Sequence, residues 1–259
     1  MTTISVCLAA FNGERFIVEQ LRSILASDLV TEVIVSDDRS TDGTRAAVLG
    51  IGDPRVRLVE GPGQGLIRNF ESLLERADGE VIFLSDQDDI WLPNKVAVSM
   101  EALRHADVVV SDCRVVDANL NVLDPSYFKT RRLGPGLIKN LLRNTYLGCC
   151  MAFRRALLPN ILPFPADIPM HDWWIGIAAE RTAAPVFVDV PLVLYRRHGA
   201  NASPTSERSR ASRRTQLSWR LALIRATLAR HGILARRIAG PGASTLDPSS
   251  KSTTSHREN

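Results

Sequence analysis

The chain has 259 residues, 45% of them hydrophobic and 23% charged, with a mean hydropathy of −0.02. These values are typical of a globular protein and exclude a collagen-like, coiled-coil or wholly disordered chain. The apolar runs are shorter than the roughly 18–20 residues that span a bilayer, and no basic-then-apolar leader precedes the first predicted strand. The four cysteines form no CxxC pair and no metal-finger spacing. We therefore expect a cytoplasmic protein with buried free thiols.

Charge is distributed unevenly along the chain. Residues 201–259 hold 11 Lys and Arg against 3 Asp and Glu, whereas residues 1–200 hold 21 against 25. The net charge is therefore +8 in the C-terminal segment and −4 in the rest, which together give the overall +4. Because the basic excess belongs to a terminal segment, we expect no nucleic-acid partner.

The first 110 residues alternate strand and helix patterns. Apolar runs predict strands at Ile4–Leu8, Glu32–Val35, Val56–Val59 and Glu80–Leu84. One helix is predicted from Gly13, one after Ser40-Thr41-Asp42, and one with an apolar face from Leu66 to Ala77. This alternation predicts an α/β fold, a mainly parallel central sheet with helices on both faces. Ligands of such sheets bind beyond the carboxyl ends of the strands.

The pattern is less regular after residue 110. Strands are predicted at 107–111, 113–122 with a turn at 117–119, 147–153 and 186–194, and a helix at 171–181. A basic helical stretch follows at 207–238, and the chain beyond Gly240 is rich in Ser, Thr and Pro. We expect three segments: an α/β domain at 1–206, a basic amphipathic helical extension at 207–239 and a disordered tail at 240–259.

The run Asp86-Gln87-Asp88-Asp89 directly follows the fourth predicted strand. Three carboxylates within four residues repel one another unless a positive charge lies between them. Mg²⁺ or Mn²⁺ carrying a diphosphate meets that need, because these ions bind carboxylates together with phosphate oxygens and water. The alternative is a solvated acidic turn that caps a helix starting at Trp91. The position directly after a buried strand favours the metal site.

Asp37 and Asp38 end the second predicted strand, where a carboxylate accepts from a ribose hydroxyl or a nucleobase N–H. The alternative is a helix cap, with Asp42 complementing the helix dipole. The glycines at 61–65 do not have the dinucleotide-fingerprint spacing, and they predict a loop. Arg68 follows that loop, where it either reaches a phosphate or lies solvated on a helix surface.

Three motifs in this order resemble glycosyltransferase family 2. They are Val6-Cys7-Leu8-Ala9-Ala10-Phe11-Asn12-Gly13, the Ser-Asp-Asp run beginning at Ser36, and Ser-Asp-Gln-Asp-Asp-Ile-Trp beginning at Ser85. The resemblance covers residues 3 to about 200, and its nearest pattern is the rhamnosyltransferases of bacterial surface polysaccharides. It implies a GT-A fold and an inverting transfer from a nucleoside-diphosphate sugar with a divalent metal.

The resemblance also implies donor-side roles for single residues. Asp86 and Asp88 match the DxD pair, with Asp88 as the metal ligand and Asp89 beside them. The implied nucleotide contacts are Ala9, Phe11 and Glu14 near the base and ribose, Asp37 or Asp38 on the base, and Arg68 near the diphosphate. Arg39 stands where the family usually has Gly, so we expect a negative φ or strain there.

Acceptor-side residues follow from the second half of the resemblance. Asp172, in His171-Asp172-Trp173-Trp174, matches the family's catalytic base, and Trp173 is expected to form an apolar wall for a sugar. The alternative is a helix-capping Asp with two core tryptophans. The segment Tyr195-Arg196-Arg197-His198 resembles the family's YRxH, which implies that His198 binds the metal or diphosphate and Arg196 neutralises it; the alternative is a solvated basic loop. Gly148 and Cys149 resemble a strand lining the acceptor pocket.

The helical extension is amphipathic. Leu217, Leu221, Ile224 and Leu228 recur at helical spacing, with arginines between them. Such a helix either lies on an anionic membrane or packs on the domain, and the sequence favours neither.

We therefore expect a metal-dependent inverting glycosyltransferase that uses Mn²⁺ or Mg²⁺. The donor is a nucleoside-diphosphate sugar, dTDP-rhamnose or a UDP-sugar with rhamnose favoured by the resemblance, and the acceptor is a glycan or lipid-linked glycan of surface polysaccharide synthesis. One rival is a sugar-nucleotidyltransferase, which needs a Gly-rich basic loop after the first strand. The other is a catalytically inactive module that binds nucleotides or glycans.

Overall fold

The computed structural model describes residues 2–198 and 212–239. Its strands are β1 (Ile4–Ala10), β2 (Glu32–Asp37), β3 (Val56–Glu60), β4 (Val81–Asp86), β5 (Ile90–Trp91), β6 (Val108–Val116), β7 (Val122–Asp124), β8 (Met151–Arg154) and β9 (Val186–Arg196). Its helices are α1 (Ile17–Leu25), α2 (Thr44–Leu49), α3 (Leu66–Arg76), α4 (Lys95–Ala102), α5 (Tyr127–Arg131), α6 (Leu137–Leu142), α7 (Leu158–Ile161), α8 (His171–Thr182) and α9 (Arg213–Ala239). The predicted boundary at 206 and 207 and the predicted tail at 240–259 lie outside the described residues.

The described strands form one sheet in the order β3-β2-β1-β4-β8-β6-β9-β5, with β7 paired to β6. The first four of these strands are parallel, as predicted. The other half is mixed, because β8 runs antiparallel to both β4 and β6 while β6 and β9 are parallel. Since β1 and β4 are neighbours, Ala9 lies opposite Asp86. The first and third sequence motifs therefore meet at one sheet edge.

The core lies between this sheet and its helices. Strand β1 is buried along its whole length, as expected for a parallel strand covered on both faces. Helix α3 contributes Phe70, Leu73 and Leu74, all fully buried. Helix α1 begins at Ile17 and not at Gly13, and the carbonyl of Gly13 accepts from Phe16 N and Ile17 N in the turn that precedes it. These contacts fix the carboxyl ends of β1 and β4 in place.

Three predicted elements differ in the structure. The expected strand at 147–153 shortens to β8, because Gly148–Cys150 forms a 3₁₀ turn whose Gly148 N–H bonds a side chain of α8. The expected helix start at Trp91 is instead the short strand β5, which pairs with β9, and α4 follows. The two expected strands at 107–111 and 113–122 are mostly one strand, β6, which continues across a bulge at Asp112.

Helix α9 packs on the domain through a face other than the predicted one. Leu223 is fully buried, and Trp219 and Ala226 pack against the core. The predicted stripe of Leu217, Leu221, Ile224 and Leu228 faces outward. Among the described residues, none of the helices is long and apolar enough to cross a membrane.

Candidate active site

A cavity of about 420 Å³ opens at the carboxyl ends of β1 and β4. Its wall is built from the end of β1, the glycine loop at 61–65, the acidic run, the turn before β8 and the start of α8. The sequence-predicted residues on this wall are Ala9, Phe11, Asp38, Asp86, Asp88, Gly148 and Asp172. The cavity thus joins residues from the beginning and the end of the described domain.

Gln87 joins the first motif to the acidic run. Its side-chain Oε1 accepts from Phe11 N at 2.8 Å, and its Nε2 donates to Phe11 O at 2.9 Å. A Cβ on Gly13 would lie 2.1 Å from that same Oε1, so a larger residue there would displace the Gln87 side chain. No role was predicted for Gln87, which here fixes the spacing between β1 and the acidic run.

The two acids at the end of β2, Asp37 and Asp38, have different surroundings. Asp38 lies on the cavity wall and accepts from Gly63 N at 2.6 Å and Gly65 N at 2.8 Å, which holds the glycine loop in place. Asp37 is fully buried away from the wall and pairs with Arg45 at 3.2 Å. Of the two candidates for base contact, the cavity therefore favours Asp38. Arg39 takes the strained alternative, with φ at 67°.

Glu14 does not reach the cavity wall. Its Oε2 accepts from Gly43 N at 2.9 Å, so it braces the loop after β2 from the outside. The predicted contact of Glu14 with base or ribose stays a prediction.

Asp86 and Asp88 both line the cavity, and His198 Nε2 lies 2.7 Å from Asp88 Oδ2. Burial, together with the neighbouring Asp88 and Asp172, raises the pKa of Asp86. This crowding of carboxylates is what a bound cation would relieve. Carboxylate oxygens with one imidazole nitrogen form a donor set that Mn²⁺ accepts, and Mg²⁺ takes the carboxylates. The residues present therefore fit the metal that the motif implies.

A second set of potential ligand atoms lies in the same region. Asp86, Asp89 and Cys149 bring one such atom each within 4.8 Å of one another. The hydrogen bond to Cys150, with burial, raises the pKa of the Cys149 thiol. Asp89 is buried, accepts from Arg196 N at 3.0 Å, and like Cys149 is not part of the cavity wall. Asp89 and Cys149 therefore lie behind the cavity wall, next to Asp86.

Two arginines expected at the diphosphate are engaged elsewhere. Arg196 is buried and donates to Asp88 O at 2.8 Å and to Glu19 Oε2 at 2.6 Å, so it braces the acidic run from behind. Arg68 pairs with Glu71, its neighbour one turn along α3, and donates to Phe164 O at 3.3 Å. Neither guanidinium lies on the cavity wall. Their expected role at the diphosphate stays a prediction, since it requires these side chains to leave their present partners.

Asp172 is the second residue of α8 and is 6% exposed. Its carboxylate accepts from Asn144 Nδ2 at 3.0 Å and from Gly148 N at 3.2 Å. Burial raises its pKa to about 6, and these hydrogen bonds oppose the rise. The N-cap of α8 is Met170, so Asp172 is not the helix cap. A partly desolvated carboxylate with a pKa just below neutrality is suited to general-base chemistry.

The tryptophans after Asp172 belong to the core. Trp173 Nε1 donates to Asn140 O at 2.5 Å, and Trp174 Nε1 donates to Ile161 O at 2.8 Å. Both side chains are buried, and neither lines the cavity. The expected apolar wall at Trp173 is therefore absent from this cavity, and the core half of the alternative interpretation describes both residues.

His171 lines the cavity beside Asp172, a placement that the sequence did not single out. Its ring stacks on Phe70 with centroids 3.9 Å apart, and burial lowers its pKa to about 3, so the imidazole is neutral. In the described part of the chain, neither ring nitrogen has a hydrogen-bond partner. A Cβ on Gly148 would lie 2.8 Å from His171 Nε2, so glycine leaves room for this ring. The motif HDWW was the available signal, but its histidine had no assigned role.

Comparisons with known proteins agree on the family and the fold. The model of the family described as glycosyl transferase family 2 matches residues 5–162. The chain is 28% identical to the dTDP-rhamnosyl transferase RfbG of Shigella flexneri, covering 76% of this chain and 75% of that protein. It is 26% identical to the Escherichia coli UDP-Glc:alpha-D-GlcNAc-diphosphoundecaprenol beta-1,3-glucosyltransferase WfgD, covering 71% and 72%.

Two solved structures have the same fold. Staphylococcus aureus TarS with UDP-GlcNAc superposes with a TM-score of 0.64 at 22% identity, covering 80% of this chain and 61% of that one. Mycobacterium tuberculosis glucosyl-3-phosphoglycerate synthase, solved with Mn²⁺ and UDP, gives 0.55 at 22%, covering 89% and 80%. These likenesses confirm the expected GT-A fold.

Proposed function

Because the chain belongs to glycosyltransferase family 2 and is a glycosyltransferase, we propose that it transfers a sugar from a nucleoside diphosphate with inversion. The observation that carries this proposal is the single cavity in which Asp172 faces the same space as Asp86 and Asp88. Two carboxylates suited to a cation and one suited to a base are the groups that such a transfer requires.

Asp172 acts on the acceptor. With a pKa of about 6 it is ionised at neutral pH, and it takes the proton of the acceptor hydroxyl as that oxygen bonds the anomeric carbon. The Asn144 side chain and the Gly148 N–H hold the carboxylate in place. The bond from the anomeric carbon to the diphosphate breaks in the same step, from the opposite face. A positioned base contributes roughly 10²–10⁴ in rate, or about 3–5 kcal/mol.

Asp88 and His198, with Asp86 beside them, are the residues that would hold the metal. Mn²⁺ or Mg²⁺ there would supply positive charge to the departing diphosphate. The chain's own contribution is rigidity: Arg196 fixes the backbone of Asp88, and Gln87 fixes the run to β1. Asp38 and the glycine loop give the nucleotide half of the cavity its shape.

The favoured donor is dTDP-rhamnose, with a UDP-sugar as the alternative, and the favoured acceptor is a glycan or lipid-linked glycan of surface polysaccharide synthesis. The relative named a dTDP-rhamnosyl transferase supports the first choice, and the relative named a UDP-Glc glucosyltransferase supports the second. The undecaprenol-linked substrate in the latter's name supports the lipid-linked acceptor.

The proposal is tested by thermal unfolding with a panel of nucleotide sugars, with and without Mn²⁺. A donor present at a hundred times its Kd adds about 2.7 kcal/mol, which raises Tm by roughly 5–10 °C. We expect that rise with dTDP-rhamnose only when Mn²⁺ is present, and we expect slow donor hydrolysis. Asp88→Asn should lose both effects, and the half-exposed control Asp107→Asn should keep them.

Each outcome separates the alternatives. Donor binding without hydrolysis or transfer would identify the inactive binding module. Binding that is equally strong without metal, or in Asp88→Asn, would contradict the metal assignment. A rise with a UDP-sugar and not with dTDP-rhamnose would reassign the donor within the same function.

A further inference from the structure

Helices α6 and α9 present a band of exposed aliphatic side chains, here called the α6–α9 patch. Its members are Ile138 (75% exposed), Leu142 (60%), Leu217 (55%), Leu221 (44%), Ile224 (38%) and Leu228 (67%). The four α9 residues recur at i, i+4, i+7 and i+11, so they form one stripe about 16 Å long at 1.5 Å per residue. Isolated exposed leucines are common, but an aligned set of this size marks an interaction surface.

The patch faces outward because other side chains dock α9 on the domain. Leu223 is fully buried, Arg181 of α8 donates to Thr227 O at 3.1 Å, and Arg220 donates to Leu142 O at 2.9 Å. The last of these bonds sets Leu142 directly beside α9. Since the docking face is already satisfied, the stripe has no role in holding the helix to the domain.

The two chain segments that carry the patch contain basic residues and no acidic ones. Residues 125–166, which include α6, contain no Asp or Glu and 7 Lys or Arg, and residues 212–239, which include α9, contain none and 7. At 100° per residue, Arg213 and Arg220 flank one side of the stripe and Arg214 and Arg225 the other. Glu180, the acid that contacts α6, is turned inward to Gly136 N and Asn140 Nδ2.

The patch also lies next to the acceptor side of the cavity. Asn144, whose side chain holds Asp172, follows Leu142 by two residues, a separation of at most about 7 Å along the chain. Trp173, the neighbour of Asp172, donates to the backbone of Asn140 in α6. The helix that carries part of the patch is therefore connected directly to the residues around the base.

We infer that the α6–α9 patch binds the surface of an anionic lipid bilayer. Aliphatic side chains enter the acyl boundary while flanking arginines meet lipid phosphates, as in interfacial amphipathic helices. A protein partner with an apolar groove would match the leucines. It would leave the arginines on both sides of the stripe without negative charges to pair with. The binding stands apart from the proposed function; only its consequence, that a lipid-linked acceptor reaches Asp172 at the membrane, rests on it.

The experiment is vesicle sedimentation of the full chain. Vesicles of phosphatidylcholine mixed with phosphatidylglycerol should bind it, and those of phosphatidylcholine alone should bind it much less. The variant Leu221→Glu/Ile224→Glu should lower the partition coefficient at least about tenfold, because it places two charges in the acyl boundary. Arg214→Gln and Arg225→Gln should each lower it about fivefold, with a weaker salt dependence.

Two matched controls define specificity. Leu49→Glu and Leu123→Glu change leucines that are 69% and 62% exposed but lie outside the patch, and they should bind vesicles as the unchanged chain does. Soluble-donor hydrolysis should be unchanged in all variants, whereas transfer to an acceptor embedded in vesicles should fall with Leu221→Glu/Ile224→Glu. If the unchanged chain binds vesicles but does not hydrolyse the donor, the proposed function is refuted and the membrane inference stands.

Two results would overturn the inference. The first is equal vesicle binding by the unchanged chain and by Leu221→Glu/Ile224→Glu. The second is a dimer in analytical ultracentrifugation that Leu221→Glu/Ile224→Glu dissociates while neither form binds vesicles, since the patch would then be covered by a second copy of the chain.

Discussion

Asp172→Asn should abolish transfer and at the same time stabilise the fold. Folding raises the pKa of Asp172 from 3.8 to about 6, so the folded chain binds its proton more tightly than the unfolded chain does. Its contribution to stability is therefore present below pH 4 and is lost as the pH rises through about 6. At 1.36 kcal/mol per unit, the penalty at neutral pH is about 3 kcal/mol.

Asparagine carries no charge and so avoids this penalty. Its amide N–H, however, must face one of the two donors that the carboxylate now accepts from, Asn144 Nδ2 or Gly148 N. That mismatch costs about 1–2 kcal/mol. The net gain at pH 7.5 is then about 1–2 kcal/mol, which raises Tm by roughly 2–8 °C.

The assay pairs calorimetric unfolding in metal-free buffer at pH 7.5 and pH 4 with transfer and donor-binding measurements. The stability gain should be present at pH 7.5 and should become a loss of about 1–2 kcal/mol near pH 4, where the charge penalty is gone and the amide mismatch remains. Donor affinity should stay near that of the unchanged chain, because Asp172 meets only the acceptor. Asp167→Asn, at an exposed position nearby in the chain, serves as the control. It should change neither the free energy of unfolding nor transfer and donor affinity. Lower stability of Asp172→Asn at pH 7.5 would assign Asp172 a structural role. Retention of more than about a tenth of the turnover would remove it from the base role, given the expected loss of at least ~10².

Two further variants test the surroundings of this carboxylate. Asn144→Ala removes a hydrogen bond to the ionised form, so the pKa of Asp172 should rise by about one unit. The acidic limb of the kcat/KM profile should move up by that amount with little change at pH 8.5, and an unmoved limb would contradict the assignment. Gly148→Ala places a methyl 2.8 Å from His171 Nε2, and because that ring is held against Phe70, kcat/KM should fall about ten- to a hundredfold. Gly50→Ala, at a right-handed helix end, is its control, and equal activity of the two variants would show that His171 moves aside freely.

The first half of the fold was predictable from local patterns. The strand predicted at Val56–Val59 is β3, Val56–Glu60, because apolar runs bounded by turns are set by neighbouring residues. The turn at Gly148–Cys150 was not predictable, since its N–H bonds Asp172, which lies 24 residues further along the chain. A periodic pattern contains no information about such a distant acceptor. The strand prediction therefore fails here because a backbone N–H bonds a side chain instead of the backbone of a neighbouring strand.

The same distinction separates the site residues. Asp38, Asp86 and Asp88 come together because parallel strands end at one sheet edge, a rule that needs no side-chain detail. The direction of Arg68 was set by Glu71 and by Phe164, which is 96 residues away. Asn144 lies in an irregular stretch without any pattern that would indicate its bond to Asp172. The sequence therefore predicts which residues the sheet topology brings to the site. It does not predict side-chain orientations that depend on contacts with distant residues.

The composition of the cavity wall itself argues for a ligand. Burial and like charges raise the pKa of Asp86, burial raises that of Asp172, and in the described residues His171 keeps both ring nitrogens without a hydrogen-bond partner. Each of these features costs the folded chain free energy that apolar residues of similar volume would avoid. Such costs are retained where a bound molecule offsets them. A cation between Asp86 and Asp88 would offset the cost of their like charges. Sugar hydroxyls at the neutral His171 imidazole would offset the cost of its unpartnered nitrogens. The cost of burying the ionised Asp172 carboxylate is not offset until an acceptor hydroxyl binds beside it. At that point a base of this pKa can take the hydroxyl proton.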